Sequence, residues 1–213
     1  LDTGHTPFLE KLEQEAKAAH VPIIRREMQS FLKVFLAVQR PKRILEVGTA
    51  VGFSAILMAE YGVPEARITT IENYEKRFLA AEENFRRSGY EDRITFLKGD
   101  AAEVMKTLEG SFDLIFMDAA KGQYIHFLPE VLRLLRDGGV LISDKVLQDG
   151  DVIESRFAVE RRNRTIHKRM REYLYTLKHH PNLLTSIIPL GDGITVSVKQ
   201  EMPQKKVRQE QEV

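Results

Sequence analysis

The chain predicts an α/β fold: a doubly wound, mostly parallel sheet with helices on both faces and an antiparallel hairpin at its C-terminal end. Three observations predict it. Five short apolar runs, at residues 43–47, 67–71, 94–97, 114–117 and 140–143, are rich in Ile, Val, Leu and Phe without polar alternation, as strands covered on both faces require. Helical patterns separate them at 54–61, 74–88, 101–107 and 124–135, and such repeated units connect by right-handed crossovers into parallel strands. Finally, residues 185–188 and 194–199 flank the turn Gly191-Asp192-Gly193 and read as two closing strands joined by a hairpin.

The remaining elements follow in order. Residues 8–19 and 26–38 carry amphipathic helix patterns on either side of Val21-Pro22-Ile23-Ile24, a short extended break. Gly62, Gly89, Gly110 and Gly138-Gly139 fall where the inner helices end. Residues 151–180 form a long, charged, helical segment, and the polar tail from Glu201, which contains Pro203, is expected to fray. No internal repeat or linker divides the chain. Residues 1–200 therefore read as one domain, with N-terminal helices over 1–40, a core over 43–147 and a helix with closing strands over 151–200, followed by a disordered tail at 201–213.

Composition narrows the setting. The 213 residues hold 32 Lys+Arg against 31 Asp+Glu, a formal net charge of +1, and 43% are hydrophobic. That apolar content supports a sizeable core and argues against disorder. The balance of charge argues against a protein that coats nucleic acid, yet leaves room for a local basic patch. Cys 0 excludes a disulfide framework, thiol catalysis and zinc–thiolate sites. No apolar run reaches the roughly 18 residues of a membrane span, and no charged-then-apolar leader opens the chain, so a cytoplasmic domain is expected.

The sharpest local feature is Glu46-Val47-Gly48-Thr49-Ala50-Val51-Gly52-Phe53-Ser54, a buried strand entering a turn with glycines four apart and then a helix. Such a turn can need glycine for backbone reasons alone. Its functional reading is close approach of the backbone to a ligand beside a helix N-terminus. The dinucleotide fingerprint is G-x-G-x-x-G, whereas this loop is Glu46-x-Gly48-x-x-x-Gly52. Glu72 ends the second strand, where a carboxylate can accept two hydrogen bonds from ribose hydroxyls. Together these favour a nucleoside ligand without dinucleotide phosphates.

On these residues the chain resembles the class I S-adenosylmethionine-dependent methyltransferases, which have a Rossmann-like fold. The resemblance implies that Gly48 approaches the methionine part of the cofactor, that Ser54 contacts its carboxylate and that Glu72 holds the ribose. Glu46 and Ala50 belong to the same cofactor loop, and Gly99-Asp100-Ala101 at the third strand end would lie against the adenine.

Two more acids stand just beyond apolar strands, Asp118 in Asp118-Ala119-Ala120-Lys121 and Asp144 in Asp144-Lys145. Carboxyl ends of neighbouring parallel strands share one edge, so the two should converge on the ligand crevice. Paired carboxylates suit Mg²⁺, which takes one or two of them with water and substrate oxygens; acids at strand ends also cap helices and turns. These residues resemble the metal-dependent O-methyltransferases of the catechol and caffeoyl-CoA type. There Asp-x-x-Lys implies a metal ligand that also borders the cofactor, Asp118, and a catalytic lysine, Lys121. Asp-Asn after the fifth strand supplies two further ligands, but here it reads Asp144-Lys145. An ammonium has donors and no lone pair, so Lys145 cannot ligate Mg²⁺. It either points to solvent, repels the cation or partly replaces its charge, and weakened but retained metal binding is the expectation.

The acceptor is read from the C-terminal segment. Arg156, Arg161, Arg162, Arg164, Lys168, Arg169 and Arg171 cluster there, with Tyr173 and Tyr175 nearby. A run of this kind is either a solvated helix face or an electrostatic footprint for phosphates, and helix periodicity does not put all the charges on one face. Val21-Pro22-Ile23, Asp118 to Tyr124, Arg161-Arg162, His180-Pro181, Ile187-Ile188-Pro189 and Gly191-Asp192-Gly193 resemble the bacterial tRNA 5-hydroxyuridine methyltransferases over nearly the whole chain. That resemblance implies methylation of 5-hydroxyuridine to 5-methoxyuridine at the tRNA wobble position, Ile24 in the cofactor pocket, a homodimer, and an anticodon-loop contact through Arg161, Arg162, Arg164, Lys168 and Arg169. The alternatives are a small catechol-like or vicinal-diol acceptor and a non-catalytic cofactor-binding protein.

Overall fold

The computed structural model describes residues 4–147 and 164–201. Its elements are α1 (Pro7–Ala18), α2 (Arg26–Gln39), β1 (Arg43–Val47), α3 (Phe53–Tyr61), β2 (Arg67–Glu72), α4 (Phe78–Ser88), β3 (Ile94–Lys98), α5 (Ala101–Thr107), β4 (Phe112–Met117), α6 (Tyr124–Leu134), β5 (Leu135–Ser143), α7 (Arg164–His179), β6 (Leu183–Ile188) and β7 (Ile194–Lys199). The strands form one sheet in the order β3-β2-β1-β4-β5-β7-β6. The first five are parallel, with Ile44 opposite both Ile68 and Leu114, and β7 runs antiparallel between β5 and β6. This is the Rossmann-like α/β architecture with a C-terminal antiparallel hairpin.

Strand residues alternate between two cores. Ile44, Leu114, Phe116 and Ile142 face α1, α2 and α3, while Leu45, Ile115, Met117 and Leu141 face α5, α6 and α7. α3 is buried from Phe53 through Ala59, because the sheet covers one side of it and the N-terminal helices the other. α2 supplies that cover through Met28, Leu32 and Leu36, spaced on one helical face. The sheet grows outward from β1 in one direction and from β4 in the other, which opens a crevice at their carboxyl ends.

Several boundaries differ from the sequence pattern, each for a local reason. The helix expected over 74–88 is a single 3₁₀ turn, Glu75–Arg77, followed by α4. Gly138-Gly139 does not end a helix. α6 stops at Leu134, and β5 runs from Leu135 straight through both glycines to Ser143. Gly138 has φ +73, and the pairing of β4 with β5 shifts register between Phe112 and Leu114, so the glycines accommodate an irregularity inside the strand. Of the helical segment expected over 151–180, α7 covers 164–179, and residues 151–163, including Arg156, Arg161 and Arg162, lie outside the described residues. The tail from residue 202 does too.

Candidate active site

The exit from β1 is spliced to its neighbours by backbone bonds. Gly48 and Thr49 both donate to the Ile71 carbonyl, at 3.0 and 3.2 Å, and Asp118 donates to the Val47 carbonyl at 3.0 Å. Gly48 has φ +106, and a Cβ there would lie 2.1 Å from the Asp118 carbonyl oxygen, so only glycine fits. Ala50, also left-handed at φ 49, donates its N–H to Glu72 Oε2 at 2.8 Å. Glu72 Oε1 accepts from the Asn73 and Tyr74 amides at 3.0 and 2.9 Å, and Arg77 stands 4.0 Å from Oε2. Three backbone amides thus aim the Glu72 carboxylate and leave about one of its roughly four lone pairs for a ligand hydroxyl.

Glu46 lies beneath this loop, fully buried. Its Oε2 accepts from the Thr70 hydroxyl at 2.5 Å, and its Oε1 has no partner among the described residues. Burial pushes the Glu46 carboxyl up to about 8; the Ser54 and Thr70 hydroxyls oppose this, and the Asp118 and Glu72 charges add to it.

These strand ends open into a cleft of about 770 Å³. Ile24 reaches it from the break between α1 and α2, Gly48, Ala50 and Ser54 from the first turn, Glu72 from β2, Asp100 and Ala101 from β3, and Asp118 from β4. Asp100 also caps α5, its Oδ1 accepting from the Ala102 and Glu103 amides at 2.9 and 3.4 Å. Tyr74, Arg77 and Phe127 line the cleft too, although no motif marked them. Gly52 departs from the ligand-approach reading. It is not in the cleft wall, and its added Cβ would meet the Phe85 ring at 2.5 Å, so its smallness serves the packing of α4. The residues present fit a nucleoside joined to an amino acid: a bare backbone at Gly48 and an acceptor on Glu72 face the cleft, and Glu46, itself outside the cleft wall, keeps a buried, partnerless oxygen beneath the loop.

The second half of the site is built differently from the expectation. Asp144 is 4% exposed, and burial, with the Asp118 charge, pushes its carboxyl up to about 6. Lys145 Nζ lies 2.6 and 2.8 Å from the two oxygens of Asp118, across the gap between β4 and β5. Lys145 itself is left-handed at φ 59, and its N–H donates to Asp144 Oδ1 at 2.7 Å. These residues do not fit a divalent cation. One carboxylate is held at both oxygens by an ammonium, and the position of the third ligand is occupied by donors alone.

Lys121 also faces another way. Its Nζ lies 3.1 Å from Asp192 Oδ2, on the turn between β6 and β7, and it is absent from the cleft wall. Asp192 is 7% exposed and was not singled out by sequence, since an acid between two glycines reads as a turn. The turn is docked by Val146 and Leu147 amides on the Gly193 and Asp192 carbonyls, both at 2.9 Å. Tyr124 ties the strand ends together: its hydroxyl accepts from the Ala119 amide at 3.2 Å and stands 3.2 and 3.1 Å from the Met117 and Asp144 carbonyls. Among the basic residues, Arg169 donates to the Gly122 carbonyl at 3.2 Å, Arg164 begins α7, and Lys168 is exposed. The structure brings the first-loop residues together and leaves Arg164, Lys168 and Arg169 on α7, outside the cleft wall; Arg161 and Arg162 lie outside the described residues.

Comparison with known proteins shows the family and the fold. A family model described as O-methyltransferase matches residues 3–200. Catechol O-methyltransferase of Mycobacterium tuberculosis is 33% identical over 153 residues, covering 70% of each chain. The O-methyltransferase from Bacillus cereus, solved in complex with SAH, superposes with a TM-score of 0.83 at 25% identity, covering 93% of each chain. The SAH-bound methyltransferase of Podospora anserina gives 0.84 at 28% identity, covering 94% of this chain and 91% of that one. The chain belongs to the O-methyltransferase family and is an enzyme of that kind.

Proposed function

We propose that this enzyme transfers the methyl group of S-adenosylmethionine to a hydroxyl on a planar ring that carries a second oxygen beside it. The observation that carries the donor half is the strand-end cradle, in which Gly48 admits no side chain and Glu72 is aimed by three amides. The donor supplies the methyl group: its C–S bond breaks with the electron pair left on sulfur as the acceptor oxygen forms the new C–O bond. Gly48 and Ser54 hold the methionine part, Glu72 accepts from the ribose, Ile24, Asp100 and Ala101 enclose the base, and Ala50 and Asp118 complete the wall. Glu46 offers its partnerless oxygen to a donor group above it. Lys121 is the residue proposed to receive the hydroxyl proton, and to do so it must leave its 3.1 Å pairing with Asp192 and turn toward the cleft.

The finer acceptor is 5-hydroxyuridine at the tRNA wobble position, with the protein acting as a cytoplasmic homodimer. The exposed Lys168 supports this reading, while Arg169 is committed to Gly122. A small catechol-like acceptor is the second reading, favoured by the catechol O-methyltransferase relative. Divalent-metal dependence rests on Asp118 and Asp144 alone and is opposed by Lys145.

One experiment separates these readings: incubation of the purified chain with methyl-labelled S-adenosylmethionine and either tRNA carrying 5-hydroxyuridine or a panel of catechols. Label in the wobble nucleoside, with salt-sensitive tRNA binding lost on charge reversal of Arg161 and Arg162, supports the first acceptor. Label confined to catechols selects the second, and label in neither removes both.

A further inference from the structure

Lys145 is placed where a side chain with an ordinary surface role has no reason to be. It follows the buried Asp144, it occupies the left-handed region where Asn and Gly are at home, and its backbone is pinned there by the Asp144 carboxylate. From that position its side chain crosses from the end of β5 to the end of β4 and meets both oxygens of Asp118. The pair is screened from water, with side-chain exposures of 24% and 15%, yet both residues line the cleft. A partly desolvated ion pair on the wall of a ligand site keeps a fixed charge at a fixed place.

We infer that the ammonium of Lys145 occupies the position a divalent cation would need, so that methyl transfer proceeds without one and Lys145 holds an oxygen of the acceptor. The inference rests on the O-methyl transfer proposed above. An ammonium carries three donors. Asp118 takes two, one per oxygen, and the third is left for an acceptor oxygen entering the cleft. A cation arriving at Asp118 would have to displace the ammonium from both oxygens and then remain beside its positive charge. As the acceptor hydroxyl gives up its proton, negative charge grows on its oxygen, and the nearby ammonium stabilises that charge as a metal would. The geometric consequence is different, because a single N–H grips one oxygen where a metal chelates two.

The test uses the full chain, Mn²⁺ as the probe, and SAH calorimetry alongside. Free Mn²⁺ is followed by its paramagnetic resonance signal during titration of wild type, Lys145→Asn and Lys145→Gly; both replacements suit the left-handed backbone. The expected result is no Mn²⁺ uptake by wild type, a gain of about tenfold or more in Mn²⁺ affinity in at least one folded variant, and wild-type turnover unaffected by EDTA. Stoichiometric Mn²⁺ uptake by wild type, loss of turnover in EDTA, or folded variants that bind no better than wild type would each overturn it. SAH binding separates the two claims: its absence from wild type defeats the O-methyl transfer reading, whereas the Mn²⁺ titration judges Lys145 by itself.

Discussion

At Gly48 the chain leaves β1 so close to the Asp118 carbonyl that a methyl group has no space, and the backbone is left-handed as well. Gly48→Ala is expected to cost at least about 2 kcal/mol in urea unfolding, from overpacking plus backbone strain, and to abolish SAH binding in calorimetry. Glu46 makes a prediction of opposite kind. Its folded-state value of about 8 lies above the ordinary 4.5, so between those values the unfolded chain binds fewer protons than the native one. The stability that protonated Glu46 permits is therefore present below pH 4.5 and is lost progressively up to about pH 8. Glu46→Gln removes that slope, so urea midpoints of variant and wild type should separate in the variant's favour as pH rises through that range. Lys121→Ala is expected to reduce turnover about 10²–10⁴-fold with SAH affinity intact; near-normal turnover would take Lys121 out of the reaction. Gly48, Glu46 and Glu72 were legible in the sequence because each sits at a strand end in a fixed spacing. Asp192 was not, because its partner Lys121 is 71 residues away and only the folded hairpin brings them together.

Among the elements, the junction of β4, β5 and the hairpin turn decides how the second half of the site is held. The Tyr124 hydroxyl is fully buried and serves the Ala119 amide while facing two carbonyls. Tyr124→Phe leaves those backbone groups short of a partner, and a loss of roughly 1–3 kcal/mol is expected by thermal or urea unfolding, with little change in SAH affinity. A value within error of zero would mean that the backbone bonds alone hold the junction. The inner helices and parallel strands were readable from apolar periodicity, since burial on both faces leaves a continuous run. The start of β5 was not. Arg136, Asp137 and Gly138 are exposed and fall where the β4–β5 register shifts between Leu135 and Val140, so no apolar pattern marks them as strand. Likewise α4 begins after a 3₁₀ turn because Glu75–Arg77 turns the chain above the cleft, where Arg77 reaches Glu72.

For the whole molecule, the order of strands was legible only in part: right-handed crossovers imply the parallel half, but nothing in periodicity says that the final strand enters between two others. β7 pairs with β5 on one side and β6 on the other. A chain cut after residue 190 would leave the β5 edge unpaired and β6 without a neighbour, and recovery as aggregate is expected in place of folded protein, checked by sedimentation. The same placement sets a sequence of events during synthesis. Residues 43–143 can pair as they emerge, while β6 must wait for a strand made after it. The Asp192 turn that receives Lys121 and seats against Leu147 is secured only when β7 slots into the gap. A ribosome-bound intermediate would thus possess the cradle around Gly48 before it possesses the Lys121–Asp192 pair, so the strand-end half of the crevice is complete before the half that the hairpin closes.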